Sequence, residues 1–310
     1  MTNNCKIIMY HYVRPIKNSE YSEIKGLEIG QFQNQIEFFR KNFHFGDSHI
    51  LFDSIESGNI ENNDLVFLTF DDGLKDHYNY VFPILKKEKI QGLFFPPVKP
   101  IEENIVLDVH KIHFILASVK DKKILVNDIF ERIHKFRKNW EIEEPEKLWK
   151  RLANPNRFDS GEVIFLKRIL QRELPKDVRE TITQELFEKY VTTDEGEFAK
   201  KLYLSLEEIK EMSDEGMYFG SHSYSHEWLS YLDPENLDKE IKKSWNFCKK
   251  INSDKQQIMC YPYGNHNANV IEKLLEYNFK AGLTTDVGDA ILNNENAFNL
   301  RRYDTNDFPQ

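Results

Sequence analysis

Three short segments hold residue types that do hydrolytic chemistry. The first, Leu65–Gly73 (LVFLTFDDG), is an apolar run that ends in two adjacent carboxylates and a glycine. Such a run reads as a buried strand, and in a parallel sheet the C-terminal strand ends build the active face. Neighbouring side chains at a strand end diverge, so Asp71 and Asp72 can serve different partners. An Asp-Gly turn without chemistry has the same spelling. The second, Gly220–His226 (GSHSYSH), follows another apolar run and sets His222 and His226 four residues apart. On a helical turn that spacing puts both imidazoles on one face, in reach of one ion; two exposed loop histidines would read alike. Asp72 adds the carboxylate that such a pair lacks. Two imidazoles and a carboxylate leave open positions on a divalent ion for water and substrate, and the ion lowers the pKa of water and polarises a carbonyl. The third, Cys260–Gly264 (CYPYG), lies at another strand end, and its Pro262 and Gly264 force a turn that can aim a backbone N–H at a developing oxyanion. Alone it would be an ordinary loop.

The elements that must position these groups are legible as short apolar runs. Lys6–Tyr12, Leu65–Phe70, Gly92–Phe95, Met217–Gly220, Gln257–Tyr261 and Ala281–Thr284 are each bounded by turn residues or charges, as interior parallel strands are. Helical patterns lie between them. Gln31–Asn42 carries Phe32, Ile36 and Phe39 on one face, and Tyr78–Glu88 carries Val81, Ile84 and Leu85. Ser205 and Glu208 have capping-box spacing before a helix to Glu215. Asp233-Pro234 starts a helix that runs to Ile251, and Ala268–Tyr277 is another. Strands alternating with helices predict a parallel sheet, open or closed into a barrel.

Lys111–Lys200 differs. It holds only Gly161 and Gly196, is dense in charge, and repeats apolar residues at helical spacing (Ile124, Ile129, Ile133; Ile164, Leu166, Ile169, Leu170). It reads as an all-helical insertion, so that residues 1–110 and 201–310 form one discontinuous α/β domain around a helical segment 111–200. That segment would be a structural lid or dimer surface, or would contribute to a substrate cleft, since loops at strand C-termini build such clefts.

Composition limits the alternatives. The 310 residues carry 42 Lys and Arg against 51 Asp and Glu, a formal charge of -9, which argues against a nucleic-acid binder that works by bulk charge. Hydrophobic residues at 40% are enough for a substantial core. The three cysteines, Cys5, Cys248 and Cys260, are too few for a disulfide framework or a zinc knuckle. A metal site must therefore use His and carboxylates. The start, MTNNCKIIMYHYVRP, shows no charged-then-apolar leader, and no window approaches the roughly 18–20 apolar residues of a membrane span, so the expectation is a cytoplasmic protein with no transmembrane segment.

TFDDG, HSxSH and the proline-tyrosine-glycine turn, in this order and at strand ends, resemble the polysaccharide deacetylase (NodB-homology) family of carbohydrate esterases. The resemblance covers the first strand through Gly73 and then about Leu202 to Asp304; the helical segment lies outside it. It implies a distorted (β/α) barrel, here with a large all-helical insertion, and a metal-dependent hydrolase that removes N- or O-acetyl groups from sugars. Carried over residue by residue, it gives Asp72, His222 and His226 as ligands of a divalent ion, commonly Zn2+, with Co2+ or Ni2+ as substitutes. Asp71 becomes the general base, and the backbone N–H of Tyr263 an oxyanion donor.

The sequence departs from the commonest pattern in two places. Cys260 stands where relatives usually keep an arginine that braces the base, and no His follows His266 to act as the late catalytic histidine. His11, at the end of the first strand, resembles the circularly permuted branch of the family, in which an early histidine is the acid. Arg302, in NLRRYD, resembles a Leu-x-Arg segment of such relatives and would bring the missing charge to Asp71, with Arg301 competing. Asp108, His110 and His113 at the start of the helical segment are further candidates, His110 as an alternative acid, although a polar helix face spells the same. His266 and Asn267 would line the cleft, and Tyr10, Tyr12, Phe95, Tyr224 and Trp228 are candidates to stack on sugar. The implied substrate is an acetylated sugar, free or linked to a nucleotide or lipid. The alternatives are a deformylase or other amidase on a sugar, and an inactive glycan-binding protein.

Overall fold

The computed structural model describes residues 4–59, 64–156, 159–251 and 256–310. Among them no helix is long and apolar enough to cross a membrane. The chain forms two compact units: Met1–Pro15, Gly26–Ile105 and Ala199–Gln310 make one, Ile16–Lys25 and Val106–Phe198 the other.

The first unit contains the strands β1 (Asn4–Tyr10), β2 (His44–Phe45), β3 (Leu65–Asp71), β4 (Gly92–Phe95), β5 (Tyr218–Phe219), β6 (Gln257–Cys260), β7 (Phe279–Leu283), β8 (Ala290–Ile291) and β9 (Tyr303–Asp304). β5, β4, β3 and β1 lie side by side and parallel. β2 pairs with the start of β3, β9 runs parallel to β1, and β8 lies antiparallel along the start of β1. β6 and β7 form a second parallel pair. Isolated parallel bridges, Ser221 to Met259 and Leu283 to Leu300, join the end of β5 to β6 and the end of β7 to the approach to β9. The strands therefore run round an interrupted circuit, a distorted β/α barrel.

Every residue of β3 is buried, as a strand covered on both faces requires. A ladder of stacked rings fixes the strands against one another. Tyr10 lies 5.0 Å from Phe70, Phe70 4.7 Å from Phe94, and Phe94 5.5 Å from Phe219. Each pair is a direct cross-strand partner, in a position to add about 0.2–1 kcal/mol. Since a one-residue slip would turn every side chain to the other face, the ladder brings the residues that follow it, His11, Asp71 and Gly220, to the same level at the strand ends.

Some local expectations shift. The helix expected over Tyr78–Glu88 opens as one wide π turn, His77–Val81, before Phe82–Glu88. Pro83 has no N–H and crowds the carbonyl four residues back, which favours a widened turn there. β2, β8 and β9, two residues each, are below the length at which periodicity registers.

The second unit is helical throughout its main elements, Asp108–Ser118, Lys122–Phe136, Pro145–Leu152, Gly161–Arg168 and Lys176–Tyr190. Leu125, Ile129, Ile133, Phe165, Ile169, Ile182, Leu186 and Phe187 fill its core. Residues 16–25, read from sequence as part of a continuous segment 1–110, cluster with this unit. The Tyr21 ring packs edge-on against Phe114 at 4.8 Å and Phe198 at 6.2 Å, a long-range contact that local periodicity does not register.

Candidate metal centre

The site is built on backbone that other residues avoid. Asp72, Ser223, His226 and Tyr263 have φ of 72°, 60°, 61° and 58°, the left-handed region that costs a residue with a Cβ about 1–2 kcal/mol. Such strain persists where surroundings over-determine it, and it clusters at functional sites. After Asp72 the chain continues left-handed at Gly73, where a Cβ would sit 2.6 Å from Pro96 Cβ. The double turn swings the Asp72 side chain away from the line of β3 and towards the His222–His226 loop. At Gly220 a Cβ would meet the Phe95 ring at 2.5 Å, so only glycine lets β5 run this close to β4 before the histidines.

Three donors converge. His222 Nε2 lies 3.4 Å and His226 Nε2 3.5 Å from Asp72 Oδ1, and all three residues are buried. Ligand atoms about 2.0–2.2 Å from one ion in a tetrahedral shell lie roughly 3.3–3.6 Å apart. Donors from two segments, the end of β3 and one loop after β5, thus meet at the spacing of a shared cation, although His222 and His226 approach along a kinked loop and not on the helical turn their spacing suggested. His222 Nδ1 is 2.7 Å from the Cys260 carbonyl. A carbonyl only accepts, so Nδ1 carries the proton and Nε2 presents its lone pair to the cluster. Inside the loop, Ser223 Oγ accepts the His226 N–H at 3.0 Å. Burial resists a charge on His222, yet the neighbouring Asp72 and Asp71 carboxylates outweigh it and hold the ring above its ordinary pKa. The cluster favours positive charge between these groups, a demand that a cation meets by displacing the proton. The donor set fits a divalent metal ion.

Asp71 faces a different set of partners. Arg302 Nη1 reaches Asp71 Oδ1 at 2.9 Å and Thr69 Oγ1 at 3.2 Å, while its Nε donates to the Thr284 carbonyl at 2.8 Å. Arg302 is 1% exposed; Arg301, the competing candidate, is exposed. Burial pushes the Asp71 carboxyl up, but Arg302, with His222 and His11, outweighs it and brings the pKa down to about 2. Cys260 is fully buried beside this pair, and burial raises its thiol, which stays neutral. Thr69, which also donates to the Ile8 carbonyl at 2.7 Å, was not singled out from the sequence. Its signal was there: one hydroxyl inside an otherwise apolar run.

His11 completes the cluster from β1's end. Its Nε2 lies 4.0 Å from Asp71 Oδ2 and 3.9 Å from Asp72 Oδ2, and its side chain is 39% exposed. The Tyr263 ring stands edge-on to His226 at 4.7 Å and stacks on Trp228 at 4.2 Å with 7° between planes. Of the aromatics considered for sugar stacking, Tyr10, Tyr12, Phe95 and Tyr224 are buried, and Trp228 alone is half-exposed. His266 stacks on Tyr261 at 4.4 Å, and Asn267 caps the helix Ala268–Glu276 by accepting from the Val270 N–H. Asp108, His110 and His113 belong to the helical unit, with His110 fully buried on Asp108–Ser118.

The family model for polysaccharide deacetylase matches residues 58–142 and 181–282. Over 90 residues the chain is 28% identical to YxkH of Bacillus subtilis (strain 168), also named for polysaccharide deacetylation; the match covers 29% of this chain and 32% of that protein. The chain thus spans about a third of the curated relative's length. Among solved structures it resembles the Streptococcus pyogenes deacetylase PplD in complex with acetate (TM-score 0.60, 17% identity, 98% of this chain and 93% of that one). It also resembles IcaB from Ammonifex degensii (TM-score 0.54, 19% identity, 92% and 85%). At these identities the structural likeness speaks for the fold. With the family model matching more than half of its residues, the chain belongs to the polysaccharide deacetylase family.

Proposed function

We propose that the protein is a metal-dependent hydrolase that removes an acetyl group from an acetylated sugar. The observation that carries this reading is the meeting of His222 Nε2 and His226 Nε2 on Asp72 Oδ1 at 3.4 and 3.5 Å, with Asp71 and His11 beside it. Asp72, His222 and His226 would hold the ion. A divalent cation there would polarise the acetyl carbonyl and bring the pKa of water down towards 7, which lets a base as weak as Asp71 suffice.

The chain's own residues supply the rest. Asp71, charged at neutral pH and aimed by Arg302, takes a proton from the attacking water as the oxygen–carbon bond forms. The backbone N–H of Tyr263, in the turn beside His226, serves the oxyanion that develops on the carbonyl. His11 protonates the leaving nitrogen or oxygen as its bond to carbon breaks, so acetate and the free sugar leave. Cys260 stands in place of an arginine, as it could in an inactive glycan-binder; the Arg302 guanidinium at Asp71 supports catalysis instead. A glycan precursor in the cytoplasm, free or linked to a nucleotide or lipid, is the substrate form this reading carries forward.

The test is acetate release from a panel of N- and O-acetylated hexosamines, with formylated analogues alongside. EDTA should abolish release and zinc or cobalt restore it. Release that survives full chelation, or formate preferred to acetate, would overturn the reading.

A further inference from the structure

The loop that carries the two histidines is held from outside by a residue that none of the motifs contains. Glu240, half-buried on the helix Pro234–Ile251, reaches across to it. Its Oε2 accepts the Tyr224 N–H at 3.1 Å and the Ser225 N–H at 2.9 Å, and its Oε1 accepts the Ser225 hydroxyl at 2.5 Å. Three donors from two successive residues, both lying between His222 and His226, thus end on one carboxylate. The backbone on either side is left-handed, at Ser223 and at His226, and successive N–H groups in such a bend form an anion-binding concavity. Other contacts fix Tyr224 at its remaining points. Its carbonyl accepts from the Lys99 N–H at 2.8 Å, its hydroxyl donates to Glu103 at 2.6 Å, and Lys243 Nζ lies 3.9 Å over its ring.

We propose that Glu240 is a positioning residue for the candidate metal centre: it sets the bend that brings His222 and His226 onto Asp72, without itself touching ion or substrate. The inference rests on the metal reading above. Left-handed residues return to ordinary backbone unless their surroundings forbid it, and Glu240 supplies the only side chain that the described hydrogen bonds place on both loop amides. A neutral replacement keeps the fold of the helix while releasing the loop, so the two imidazoles drift from their shared spacing. Groups that orient ligands from behind typically change metal affinity about 10–100-fold when removed.

The experiment titrates metal-free protein with zinc and with cobalt(II), following heat and the cobalt absorption bands, for the parent, Glu240→Ala, Glu240→Gln and the surface control Glu235→Ala. Hydrogen exchange of the Tyr224 and Ser225 amides is read on the same metal-free samples. Glu240→Ala should weaken both metals roughly 10–100-fold, alter the cobalt bands and speed exchange at both amides. Glu240→Gln, which keeps one carbonyl oxygen, should fall between, and carries the test if the alanine variant does not fold. Glu235→Ala should match the parent. Unchanged affinity and unchanged exchange in both Glu240 variants would overturn the inference. A parent that takes up neither metal would instead overturn the metal reading; exchange at the two amides would then still decide Glu240's hold on the loop, and unchanged exchange would sink it.

Discussion

Arg302 Nη1 lies 2.9 Å from Asp71 Oδ1, an ion pair between residues 231 apart in the chain, with both side chains buried. The charge that steadies the proposed base arrives on the approach to the last strand, while the small Cys260 occupies the place beside it. Burial alone would leave Asp71 harder to ionise; the guanidinium reverses that and holds Oδ1, leaving Oδ2 towards His11.

Replacing Arg302 with methionine should therefore raise the Asp71 pKa from its value of about 2, because burial then acts with less opposition. The acid limb of the kcat/KM profile should move to higher pH. Removing one partner of a buried pair should also cost about 3–5 kcal/mol of stability. A pH–rate profile with a denaturation curve measures both, and an acid limb that stays in place would refute the brace.

Asp71→Asn keeps the shape of the side chain and removes its basicity. The expected loss in kcat is about 10²–10⁴-fold, the range for a positioned base, while the metal content of the purified protein stays that of the parent. Acetate release beside elemental analysis reads both. If the metal is lost along with activity, Asp71 belongs to the ion and not to the water.

Much of this was legible in the chain because each motif sits where an apolar run stops, and β3, β5 and β6 lie in such runs. Which of Arg301 and Arg302 turns inward was not legible. Neighbours on an extended segment face opposite ways, and a strand as short as Tyr303–Asp304 has no pattern from which to read the parity. The split at residues 16–25 was hidden for a related reason: it depends on what Tyr21 touches, not on what surrounds it in sequence. Glu240 was invisible too, since its partners lie 15 and 16 residues away and a glutamate on an amphipathic helix ordinarily faces water.

His11→Gln should separate acid catalysis from the rest of the site. An amine must be protonated to leave, so kcat on an N-acetyl sugar should fall by about 10²-fold or more. An aryl acetate, whose leaving group departs as the anion, should lose far less. Equal losses on the two substrates would remove His11 from the acid's role.

Trp228 stacks flat on Tyr263 and keeps part of its surface open beside His226. If a sugar ring uses that surface, Trp228→Ala should raise KM and leave kcat within a few-fold. An aromatic contact worth about 0.5–1.5 kcal/mol corresponds to roughly 2–10-fold. Steady-state kinetics on acetylated oligosaccharides decides it, and an unchanged KM would make the stack purely structural.

Stability should also fall in mild acid because of His77, which is fully buried behind the site and whose Nε2 lies 3.0 Å from the His11 carbonyl. Its Nδ1 is buried with no hydrogen-bond partner among the described residues, so a second proton has nowhere to be received. Burial lowers its pKa from 6.5 to about 4. Between those values the unfolded chain binds a proton that the folded chain refuses, so stability is full above about pH 6.5 and is lost as the pH drops towards 4. The gap of about 2.5 units corresponds to about 3 kcal/mol at most. Glutamine in its place can still donate to the His11 carbonyl but takes up no proton. Urea denaturation of parent and His77→Gln at several pH values should therefore show the parent's advantage shrinking through this window, and two curves that stay parallel would exclude His77 as the source.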